Sequence, residues 1–237
     1  MTPPVLRLVP LVWVVAAVMT ADAQAPPQPL KPKPSVQKLG PTTFRIGMIT
    51  IDTQKREVVA PGAVNDVMVL EFVANTQSGF KAYESALTIH TDAISYNTAL
   101  LLIGLDPSRA RVPTTHFDPK PPSGDPVEVL VEWTTGGATK RVPIEQLLFD
   151  RRTDATLPSG PWVYTGGTFF DNGQGQKQFM AEMDGVLIGF VHSPSPVIEN
   201  PREGAVNGYG SVVLNPNLGL KAGQPVTLIV RALPLPK

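Results

Sequence analysis

Apolar side chains recur at Phe44, Ile46, Met48, Ile49 and Ile51, and this near-alternation predicts a strand over 44–52. Asp52-Thr-Gln-Lys55 reads as a polar turn, from which Arg56 to Ala60 returns as the second arm of a hairpin. Val67 to Val73 is rich in β-branched residues and predicts the next strand. The turn-forming run Asn75 to Gly79 would join it to a hairpin partner over Phe80 to Ile89. The period then lengthens. Ile94, Leu101 and Leu102 fall close to one helical face, with Ala93, Leu100 and Ile103 widening it. Thr91 or Asp92 can cap the start, and Gly104 suits the position just past the end, so a buried helix is expected over about 92–104.

Asp106 to Pro126 is rich in proline and small polar residues and predicts a loop. Val127 to Trp133 alternates cleanly, with Val127, Val129, Val131 and Trp133 on one side and Glu128 and Glu132 on the other. Thr134 to Gly137 is a tight turn and Ala138 to Val142 pairs back, while Pro143 to Leu148 fits a short helix with proline in its first turn. Trp162 to Phe170 is apolar but interrupted by Gly166-Gly167. Asp184-Gly185, between Gln176–Met183 and Val186–His192, is a type I′ hairpin signal. Pro194 to Gly210 reads as loop, and Pro225 to Arg231 closes the chain with a period-2 strand. The fold class expected is therefore mainly β (α+β): an antiparallel, sandwich-like body with one buried helix and a short helix near 143–148.

The N-terminus changes the picture of where this body works. Leu8 to Met19 is an apolar run of signal-peptide length, preceded by Arg7 and followed by Ala21-Asp-Ala23 and Ala23-Gln-Ala25. Cleavage after Ala25 is expected, with an uncleaved anchor as the alternative. Prolines at 26, 27, 29, 32, 34 and 41 make 26–42 an extended linker, leaving 43–237 as a single domain. No later run is long enough to span a bilayer, so the product is expected to be exported, periplasmic or secreted, with no membrane span once the signal is removed.

Charge and composition mainly exclude. Twenty basic residues balance twenty acidic ones, which removes the basic footprint of a nucleic-acid binder. The chain has no cysteine, so disulfides, thiol catalysis, lipoprotein anchoring and iron–sulfur ligation are all ruled out. No nucleophile elbow, metalloprotease helix, phosphate loop or calcium loop is present, and no cofactor is implied.

The candidate polar site comprises Glu84 and Ser85, set in an otherwise apolar strand, with the strand-end residues His90 and His192. A metal would need neutral imidazoles and a carboxylate converging on one ion; strand-end histidines without function are the alternative. Trp133, Trp162, Phe169 and Phe170 are a candidate ligand groove, with core packing as the other reading.

Lys81-Ala-Tyr-Glu-Ser-Ala-Leu87 and Thr98-Ala-Leu-Leu-Leu-Ile-Gly104 resemble segments of the YdjY-like domain family of bacterial proteins. Trp162 to Phe170, and Phe179 to Phe190 around Asp184-Gly185, are similar to it as well, so the resemblance covers about 47–201. It implies no catalytic residues. The family pattern often places His before the Glu, where this chain has Tyr83, which weakens a metal site on that strand. Some relatives are associated with ferredoxin-type segments, which a cysteine-free chain cannot itself provide.

Taken together, the sequence points to a non-catalytic binding or interaction module of the cell envelope, with an envelope protein or a small ligand as partner. The alternative is a metal-dependent or hydrolytic enzyme built near Glu84, His90 and His192.

Overall fold

The computed structural model describes residues 34–202 and 210–235. The expected signal segment and the first part of the linker lie outside them. The body opens with β1 (Val36–Lys38), β2 (Thr43–Ile46), β3 (Ile49–Asp52) and β4 (Glu57–Val64). These pair antiparallel in sequence order. The single strand expected over 44–52 is thus a hairpin, because Gly47 takes a left-handed φ of 55° and turns the chain at Met48. The end of the proline-rich segment also pairs: β1 lies between Pro34 and Pro41 as an exposed edge strand, the one place in a sheet where flanking prolines are tolerated.

Next come β5 (Phe72–Thr76), a 3-10 turn over Phe80–Glu84, and β6 (Ser85–Ile89). The strand expected at Val67 begins only at Phe72, and β5 and β6 run parallel rather than as a hairpin. Helix α1 (Ala93–Leu102) stands where the pattern put it. Asp92 accepts from the Ser95 N–H at 2.7 Å as N-cap, and Gly104 follows at φ 84°. Its buried face is rotated from the expected one: Ala93, Leu100 and Ile103 are buried as expected, together with Tyr96 and Ala99, but Ile94, Leu101 and Leu102 are exposed. Tyr96, which the apolar pattern omitted, is the side chain that orients the helix inward.

The long hairpin β7 (Asp125–Thr135) and β8 (Ala138–Pro143) follows, then a single 3-10 turn over Ile144–Leu147 where a short helix was expected. Short strands β9 (Leu148–Asp150), β10 (Ala155–Thr156), β11 (Trp162–Tyr164), β12 (Phe169–Asp171) and β13 (Lys177–Phe179) lead to α2 (Met180–Asp184) and β14 (Val186–Gly189). Asp184-Gly185 therefore ends a helix instead of making a hairpin turn. Gly185, at φ 80°, is its left-handed cap, and a Cβ there would run into Gly79. The chain ends with β15 (Ile198–Glu199), β16 (Val212–Leu214) and β17 (Pro225–Ala232).

The mainly β, predominantly antiparallel body is present, but the principal sheet closes on itself. In order β4, β17, β7, β11, β15, β14, β5 and β6 are hydrogen-bonded neighbours, and β6 pairs back onto β4. Closure leaves these eight strands without an edge, so the edges of the sheet fall on β1 and β8, outside the ring. Val58, Ala60, Val129, Val131, Leu228 and Val230 alternate into the interior, which side chains fill. Two parallel pairs, β5–β6 and β14–β15, are joined by crossovers over residues 77–84 and 190–197. Both are shorter than the roughly dozen residues a helical crossover needs. They cross the outside of the barrel as tight straps. Pro196 lies so close to Gly189 that a Cβ there would sit 2.5 Å from its Cγ.

Candidate functional site

The strap over 77–84 carries the most reactive-looking group of side chains. Its 3-10 turn places Lys81 and Glu84 three residues apart on one face, and Lys81 Nζ lies 2.5 Å from Glu84 Oε1. The Glu84 carboxylate is buried, while the lysine side chain remains 24% exposed. Three rings surround the ammonium: Phe72, Phe80 and Tyr83, with centroids at 5.8, 5.8 and 5.6 Å. Each is within cation–π range. Nζ also donates to the Tyr83 hydroxyl at 3.3 Å. Burial works to lower the Lys81 pKa, but the bonds to Glu84 and Tyr83 outweigh it and hold the ammonium charged.

A second acid–base pair adjoins the first. Glu71, also buried, bonds through its N–H to the Glu84 carbonyl at 2.9 Å, and its carboxylate is 3.6 Å from His116 Nε2. His116 lies over Phe117, ring to ring at 4.3 Å, and both belong to the loop over 111–123. That loop is braced by Asp118, whose carboxylate accepts from the backbone N–H groups of Thr114 and Lys120 and from Arg111. Those bonds hold its pKa down to about 2.

A half-buried hydrogen-bond network supports the strap. Asn65 Nδ2 donates to the carbonyls of Ser85 (2.8 Å) and Ala82 (3.3 Å), and Thr88 Oγ1 donates to Asn65 Oδ1 at 2.8 Å. Ser85 Oγ donates to the Lys81 carbonyl at 2.9 Å. The turn is therefore held independently of the ion pair. Its outer aromatic residues are left facing solvent: Phe80 is 60% exposed and Tyr83 64%.

The expected site residues are divided by this arrangement. Glu84 and Ser85 are in the cluster. His192 is near it but works differently. Buried, it sits with Nδ1 3.0 Å from the Asp118 carbonyl and Nε2 3.0 Å from the Asn200 carbonyl, tying the 111–123 loop to the second strap. His90 is at the other end of β6 from Glu84, roughly 20 Å away at strand rise. It lines a shallow pocket of about 500 Å³ with Met48, Gln77, Ser78 and Asp92. Glu84, His90 and His192 do not converge, and among the described residues no group of three or more His, Asp or Glu is arranged to hold a metal ion.

The aromatic groove does not form either. Trp133 and Trp162 are both buried in the core and stand six register positions apart along β7, since Trp162 pairs with Val127. Trp162 Nε1 donates to Glu145 at 3.2 Å, with the Arg202 guanidinium over its ring. Phe169 and Phe170 lie on the separate β12–β13 hairpin, where Phe169 stacks on Phe179 at 4.6 Å.

Sequence reasoning missed Lys81, Glu71 and His116. Lys81 carried a signal, since i, i+3 spacing to Glu84 pairs charges on a helical turn. Glu71 and His116 come from segments with no local pattern linking them. It also missed Glu199. Ile198 faces the interior with its partners Tyr164 and Ile188, so Glu199 points outward, where the 190–197 strap covers it completely. Among the described residues one bond reaches it, from the Ser193 N–H to Oε1 at 3.3 Å, and burial pushes its pKa well above the carboxylate range.

The architecture is that of a closed, side-chain-filled β-barrel with external straps. The chain belongs to the YdjY domain family, whose model matches residues 49–231. No curated protein and no solved structure matches it.

Proposed function

We propose that this protein is a binding module of the cell envelope without catalysis of its own, and that its binding face is the aromatic rim of Phe80, Tyr83 and Phe117. The observation that carries this is the exposure of Phe80 and Tyr83 around an ion-paired, buried carboxylate. Exposed clustered aromatics are the side chains that interfaces enrich, and here a hydrogen-bonded turn holds them ready. The filled barrel interior favours a surface site over an internal one. The apolar run at Leu8–Met19 and the small residues ending at Ala25 support export. The alternative reading as a metal-dependent or hydrolytic enzyme requires Glu84, His90 and His192 at one point, and the ends of β6 keep Glu84 and His90 apart.

The test is site-specific photo-crosslinking in cells, with a photoreactive phenylalanine at position 83 or at Thr139 on the exposed β8 edge. A discrete adduct from 83, absent from 139 and lost on Phe80→Ala, is expected. Adducts from both positions, or from neither, would refute the binding face. N-terminal sequencing of the envelope-fraction protein is expected to begin at Pro26.

A further inference from the structure

The cage around Lys81 has the composition of a site that recognises an ammonium group. It has an inner wall, Phe72, which is 3% exposed, and an anionic floor, Glu84. Its outer walls, Phe80 and Tyr83, stand in solvent. Aromatic faces and a carboxylate together select an alkylammonium over a metal cation, because the rings contact the polarised methylene next to the nitrogen as well as the charge. The chain's own lysine currently fills it.

Three features make that lysine replaceable. First, its side chain is 24% exposed. Second, the turn that bears it is held by Asn65 and Ser85, whose bonds go to the backbone and do not involve Nζ. Third, the ion pair, the hydrogen bond and the ring contacts of Lys81 with the cage are all made by Nζ. An incoming lysine can make the same contacts, so the exchange replaces like with like. Its net cost is then the loss of the partner's freedom, which contacts to Phe80 and Tyr83 can offset.

We propose that the Phe72, Phe80, Tyr83 and Glu84 cage is a lysine-recognition site, which takes a lysine side chain of a partner protein by exchange with Lys81. The proposal rests on the binding-face reading above and adds the chemistry of the partner. Lys81 is then a built-in competitor that keeps the buried Glu84 neutralised when no partner is present and lowers the apparent affinity of the free protein.

The experiment is NMR titration of the purified protein with Nα-acetyl-lysine amide, following the Tyr83 ring, with Nα-acetyl-norleucine amide as the uncharged control. Wild type is expected to show weak, saturable shifts with the lysine probe only. Lys81→Ala, which frees the cage, is expected to bind at least about tenfold more tightly. Adding Glu84→Gln to that variant is expected to abolish binding. Should Lys81→Ala fail to fold, Lys81→Gln takes its place. A folded variant that ignores the probe, or equal response to the norleucine control, would overturn the proposal. So would binding confined to the variant, since Lys81 would then be a fixed strut. Binding of wild type to phosphatidylethanolamine vesicles but not to the lysine probe would also overturn it, assigning the cage to a membrane amine. In each of these cases a surviving adduct from position 83 would leave the binding face standing.

Discussion

Replacing Glu199 with glutamine tests whether a carboxyl is held neutral beneath the second strap. The side chain is fully buried, Oε1 accepts only the Ser193 N–H, and Oε2 has no partner among the described residues. Burial is the larger influence and raises the pKa; the Ser193 bond opposes it and is too weak to compensate. The folded protein therefore keeps a proton that the unfolded chain releases near pH 4.3. Below that value both states are protonated and the effect on stability is nil. Above it, unfolding releases a proton, so stability falls by about 1.4 kcal/mol per pH unit until the raised folded pKa is passed.

Glutamine keeps an acceptor for Ser193 and cannot ionise. Its amide brings two N–H donors where the neutral carboxyl has one O–H, so near pH 4 the variant should be less stable by about 1–3 kcal/mol, an offset that does not change with pH. Urea unfolding of both proteins across pH 4–9 reads the difference. Because every other titrating group is common to both, subtracting the curves isolates Glu199. The variant should gain on wild type with a slope of about 1.4 kcal/mol per pH unit, levelling off at the folded pKa. Parallel curves would refute the reasoning, since they would mean that Glu199 ionises in the folded state as easily as in the unfolded one.

Three other outcomes follow from local geometry. Trp162→Phe removes the donor to the buried Glu145 carboxylate and should cost about 1–3 kcal/mol in urea unfolding. Gly124→Ala places a Cβ inside the Tyr164 carbonyl oxygen, backbone against backbone, so a loss of more than about 3 kcal/mol, or failure to accumulate folded protein, is expected. Asp118→Asn should loosen the 111–123 loop selectively, seen as faster amide exchange there with barrel strands unchanged; in wild type the loop's protection should fall as pH drops from about 4 toward 2, because a carboxylate with a lowered pKa contributes only above that window.

The legible parts of this sequence were those in which the signal and the contact are local. The β7–β8 hairpin and the Asp92-capped helix carry their own turn and cap residues within a few positions. The parallel pairs were invisible because strand periodicity is the same for either neighbour direction. Asp184-Gly185 was ambiguous in itself: glycine at positive φ suits a type I′ turn and a helix C-cap equally. What decided it was the approach of Gly79, more than a hundred residues earlier. In the same way Glu84 stood out as a charge in an apolar run. Its environment is made by Phe72, Glu71 and His116, whose placement depends on a crossover that no local pattern announces.

That dependence also explains where the chemistry lies. A closed barrel whose interior is filled by Val, Leu, Ile and Trp has no room for a ligand, and its antiparallel strands leave no backbone group to recruit. The parallel pairs break this economy. Each needs a connection that crosses the outside of the wall, and a strap too short for a helix buries whatever polar side chain lies beneath it. One strap carries Lys81 and Glu84, and the other covers Glu199 and carries His192. The first strap packs on the end of α2 where Gly79 faces Gly185, and the loop bearing His116 and Phe117 is tied to the second strap through His192. The unusual ionisable groups of this protein are thus consequences of the same topological feature, and a change that loosened either strap would be felt at the aromatic rim.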